Sequence, residues 1–101
     1  MKDIKILVKE LESLNKEYND IIEKYIDKTE ELEIKKLEVI DPTKRDSVEK
    51  QLMAAMKDDE NLQSLFLIVE RLRRQKDQIL KNIDIAKKLI DVNLLKDKNG
   101  D

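Results

Sequence analysis

Glycine and proline occur once each in this 101-residue chain, at Gly100 and Pro42. These are the residues that most often punctuate turns, hairpins and loop-rich folds, so a chain almost without them has few ways to be anything but long helices. Apolar spacing supports the same conclusion. Ile4, Leu7, Leu11, Leu14, Tyr18, Ile21 and Tyr25 recur at alternating intervals of three and four, the seam of a coiled coil. One row of that seam continues through Leu32 and Val39. The other meets Lys28 and Lys35, where Ile34, Leu37 and Ile40 form a shifted stripe that reads as a stutter or a change of packing partner.

Asp41-Pro42 sets the clearest boundary, because the residue before proline is pushed out of the helical region. Aspartate also suits a new N-cap, with proline at the first helical position. The pattern therefore predicts helix over about 2–40, then a short helix over about 42–57. Asp58-Asp59-Glu60-Asn61 combines poor helix formers with good caps, so a break falls there, although Val48, Leu52, Ala55, Asp59, Leu62, Phe66 and Val69 can also be read as one unbroken heptad run. A third helix over about 60–95 carries Leu62, Leu65, Val69, Leu72, Ile79, Ile83, Ala86 and Ile90 on one face, interrupted only by Lys76. Residues 96–101 form a polar tail expected to fray. The two long helices would each reach roughly 55 Å at 1.5 Å per residue. The expected fold is all-α: a single domain over 1–101, built as an antiparallel, coiled-coil-like helical hairpin with a short middle helix and assembling into an oligomeric bundle. Leu11 and Leu14, in the middle of the cleanest heptads, are expected to be well buried.

Composition narrows the chemistry. Charged residues make up 44% of the chain and aromatic ones 3%, the class of coiled coils and long helices. Cysteine and histidine are both absent, which removes disulfides, thiol chemistry, the usual zinc sites and the imidazole of most acid–base centres. The acidic run Asp58, Asp59, Glu60 lacks the spacing and the glycine turn of a calcium loop and is read as capping. There is no glycine-rich loop for a nucleotide. Tyr18 and Tyr25 lie on the seam, where large side chains set helix spacing. The expectation is a protein with no cofactor, no metal and no catalytic residue. The longest apolar runs are five residues, Leu52 to Met56 and Leu65 to Val69, far below the roughly 20 that span a bilayer, so no membrane partner is expected; the lack of cysteine fits a cytoplasmic location.

Two clusters remain as binding candidates. Leu52, Met53 and Met56, with the single phenylalanine Phe66 beyond them, form a soft, adaptable apolar patch suited to core filling or to a protein partner. Arg71, Arg73 and Arg74, close to Lys76, include three of the four arginines and are candidate phosphate contacts. Against the second stand a net charge of −2 and the lack of interleaved aromatics for base stacking. Charge is also uneven: −4 over residues 1–41, −1 over 42–61 and +3 over 62–101. An acidic first helix thus complements a basic last one, aided by i,i+4 pairs such as Glu31 with Lys35, Glu70 with Arg74 and Asp84 with Lys88. The outline of paired, highly charged helices is similar to small helical export chaperones and to short phage or plasmid accessory proteins, but no motif here is specific to either. The leading expectation is a non-catalytic interaction or adaptor protein that self-associates into a homo-oligomer and binds a protein partner through apolar helix faces. The alternative is a nucleic-acid-associated accessory protein that contacts phosphates through its last helix.

Overall fold

The computed structural model describes residues 3–98. Its element order is α1 (Ile4–Val39), α2 (Val48–Asp58) and α3 (Glu60–Lys98), with no strand among the described residues. The expected all-α hairpin with a short middle helix is what the chain forms. Two sequence-based boundaries need correction. The short helix begins at Val48, not near residue 42, and α3 runs through Lys98, so residues 96–98 are helical; residues 99–101 of the expected tail lie outside the described residues.

The first correction has a local cause. Asp41 does not cap a helix. Its carboxylate Oδ1 accepts from the Thr43 backbone N–H at 2.9 Å and from Thr43 Oγ1 at 2.6 Å, while its carbonyl accepts from the Lys44 N–H at 3.2 Å. That is an Asx-turn nested in a β-turn with Pro42 at the second position, where its fixed φ is favourable. The capping role passes to Ser47, whose hydroxyl accepts from the Lys50 N–H at 3.2 Å. Asp59 then divides α2 from α3. Its extended backbone ends α2, and its Oδ1 accepts from the Leu62 N–H at 3.1 Å to start α3, so the break predicted at 58–61 is present and one residue serves both ends.

Contacts group the chain into two compact units, Met1–Ile22 with Arg74–Asp101, and Glu23–Arg73. In each, a segment of α1 lies antiparallel to a segment of α3. In the first unit the buried side chains are Leu7, Ile79, Ile83 and Ala86, all on the predicted seam rows. Leu11 and Leu14 are only half-buried, short of the burial expected for them. Two helices alone close a seam from one side, and large residues on it keep an open flank.

In the second unit α2 supplies the missing cover. Leu32, Leu62, Leu65 and Val69 form a buried cluster, with Tyr25, Val39, Ala55 and Met56 packed against it. The shifted stripe plays no part in that core, since Ile34 and Leu37 are exposed.

Candidate functional site: an apolar groove beside the middle helix

The groove in the second unit is built by the way α2 is held. The Gln51 side chain clips the preceding loop at three points: its Oε1 accepts from the Asp41 N–H at 2.7 Å, and its Nε2 donates to the carbonyls of Asp41 at 3.2 Å and Asp46 at 3.1 Å. At the other end the Gln63 side-chain amide donates to the Met56 carbonyl, one of the helix-end acceptors that α2 cannot satisfy itself. Fixed at both ends, α2 turns one row of side chains toward α1 and α3.

The result is an apolar groove of about 360 Å³. Leu32 and Leu62 form its buried floor, and half-buried Leu52 and Met56 form its wall. Met53, 63% exposed, and Phe66, 39% exposed, stand at its rim. Lys36 and Glu49 also line it. All four residues singled out as a candidate protein-interaction patch, Leu52, Met53, Met56 and Phe66, are thus brought to one surface feature. Two flexible thioethers and a phenyl ring make a surface that can repack around different apolar side chains.

The arginine cluster is arranged differently. Arg71, Arg73 and Arg74 are exposed, but Arg73 Nη2 donates to Glu70 Oε2 at 2.6 Å, and half-buried Lys76 sits on the seam row of its unit with its Nζ 3.3 Å from Asp77 Oδ1. Arg71 and Arg73 belong to one unit, Arg74 and Lys76 to the other. Some of the expected i,i+4 pairs take other partners. Asp84 and Lys88 meet at 3.1 Å as expected, whereas Glu31 pairs with Lys28 at 2.9 Å and Glu70 with Arg73.

Within the acidic run, Asp59 caps α3 through Oδ1, and its Oδ2 lies 3.9 Å from Lys35 Nζ. Among the described residues no group of three or more carboxylates is placed to hold a metal ion, and no helix is long and apolar enough to cross a membrane.

The patch is visible in the sequence, but its floor and its fasteners are not. Leu32 and Leu62 read as ordinary seam residues. Gln51 and Gln63 stand in no sequence pattern; the signal that points to them is that a turn such as Asp41-Pro42 and a helix end at Met56 leave backbone groups in need of partners. No family model, no curated protein and no solved structure matches the chain.

Proposed function

We propose that this chain is a non-catalytic interaction protein that self-associates and holds a protein partner through apolar helix faces, with the Leu52, Met53, Met56 and Phe66 groove as the partner site. The observation that carries the reading is the number of large apolar side chains left exposed. Among the described residues eight hydrophobic side chains are buried, while sixteen large ones are exposed. Isolated exposed leucines are ordinary, but contiguous apolar surface on a small chain marks an interaction site. The groove adds shape to that surplus, because its rim residues are exposed and its floor is closed. A cytoplasmic setting fits the absence of cysteine.

Phosphate contact through the last helix is the weaker reading. Glu70 already engages Arg73, and Lys76 lies on the seam.

Affinity capture from the native host with wild-type chain and with Met53→Asp/Phe66→Asp tests the groove. Both positions are at the rim, so helical content by circular dichroism should be retained. The expected result is a protein captured by wild type and lost with the double variant. Equal capture by both would rule the groove out as the partner site.

A further inference from the structure

We infer that the second unit carries the face through which two copies of this chain pair, an antiparallel contact of α1 with its own image. The inference rests on the self-association proposed above and names its surface. It starts where the seam of α1 fails, because Lys28 and Lys35 stand where the heptad calls for apolar side chains. In the structure both lysines line a groove of about 490 Å³, with Glu31, Ile34 and Glu38 from α1 and Asn61, Leu65 and Ile68 from α3. Leu65 is buried at its floor, and Ile34 is 60% exposed. The groove shares no residue with the one beside α2, so a partner held there is not displaced.

The charges along α1 select the occupant. In chain order they run Lys28, Glu31, Lys35, Glu38, and the row is its own complement when reversed. Lys28 and Glu38 lie five residues either side of position 33, and Glu31 and Lys35 lie two residues either side of it. A second α1 laid antiparallel about that point sets Lys28 against the partner's Glu38 and Glu31 against the partner's Lys35, and the two-fold axis repeats both pairs. All four contacts join opposite charges. A parallel copy in register would set each charge against its own image, and a foreign helix would need a matching row that the chain itself already supplies. Lys24, on the same flank, lies level with the partner's Pro42, past the end of α1 and outside the matched stretch.

Ile34 completes the contact. In this register it stands two residues, about 3 Å along the axis, from the partner's Ile34, so each isoleucine enters the other copy's groove. The ion pairs within the chain do not oppose this. Lys28 holds Glu31 at 2.9 Å, and Lys35 lies 3.9 Å from Asp59. A carboxylate accepts several donors, so Glu31 can keep Lys28 and take a second lysine. None of the ion pairs among the described residues engages Glu38. Burial of isoleucine supplies affinity, and the charge row sets orientation and register.

Sedimentation velocity of the full chain at low salt is the test. Lys28→Glu/Lys35→Glu makes the row wholly acidic, and Glu31→Lys/Glu38→Lys makes it wholly basic. Each alone should pair roughly a hundredfold more weakly than the wild type, the scale of four exposed pairs turned from attraction to repulsion. Mixed in equal amounts they should recover the wild-type mass, because every contact again joins opposite charges. Glu23→Lys/Glu30→Lys, the same charge change at exposed positions of α1 outside the groove, should leave pairing unchanged. Glu31 and Glu38 are exposed, so the basic variant decides the matter even if Lys35→Glu, beside Asp59, costs helix by circular dichroism. Its loss of pairing should shrink as salt screens the repulsion. Undiminished pairing of the basic variant, equal loss in the outer-face variant, or a mixture of folded variants that stays dissociated would overturn this face while leaving self-association standing. A wild type that stays at 12.0 kDa would overturn both.

Discussion

At the scale of single residues, the polar side chains that matter are those fastening the segment between α1 and α2. Asp41 is the clearest case. Hydrogen bonds from the Thr43 hydroxyl and backbone N–H, helped by nearby Lys44, hold its carboxyl below the ordinary carboxylate value. A carboxyl whose pKa falls on folding contributes stability above its unfolded value of about 3.9, and that contribution is lost as pH falls through the lower folded value. Asp41→Asn keeps an acceptor for the turn but cannot titrate. Its unfolding free energy should therefore vary less with pH in the acid range below about 4 than that of the wild type, as urea melts at a series of pH values would show. An unchanged acid limb would mean that the turn is not populated.

Thr29 presents the opposite situation, a buried hydroxyl oxygen with no hydrogen bond. Thr29→Val replaces it with an isosteric methyl group. Removing an unsatisfied polar atom of this kind should raise stability by about 1 kcal/mol, read as a higher midpoint in chemical denaturation; a lower midpoint would show that the hydroxyl has a partner.

At the scale of elements, what was legible depended on whether periodicity or local hydrogen bonding decided the outcome. The α3 face from Leu62 to Ile90 could be read because burial follows a simple spacing over many turns, and its residues are buried or half-buried in the structure. The start of α2 could not, because it depends on a competition. Asp41-Pro42 suits both a helix N-terminus and a turn, and the Thr43 hydroxyl and the Gln51 amide decide for the turn.

The candidate site was half legible for the same reason. Its methionines and phenylalanine stand out by composition, but the floor under them exists only once α2 folds back. Leu62, 1% exposed, and Leu37, 71% exposed, separate core from surface most sharply. Leu62→Ala should cost roughly 2 to 5 kcal/mol, whereas Leu37→Ala should change stability by no more than about 0.5 kcal/mol. Thermal melts of the two variants that coincide would contradict the assignment of the core.

At the scale of the molecule, two long helices and one short one leave sixteen large apolar side chains exposed among the described residues. The shortage of core is physical, since a chain of this length buries a modest share of its surface, and helices paired along one seam cover only one side of each other. The most exposed large side chains include Ile34, Leu37, Met53 and Leu67, all in the unit that holds the groove. Covering such residues is worth about 25 cal/mol per Å² of apolar area, enough to drive association if several are covered together. The solution mass by light scattering, followed from micromolar concentration upward, tests this most directly. An apparent mass of at least twice 12.0 kDa that grows or holds with concentration is the predicted result. A constant mass of 12.0 kDa across the series would contradict self-association, and the exposed apolar faces could then no longer be interfaces between copies of the chain.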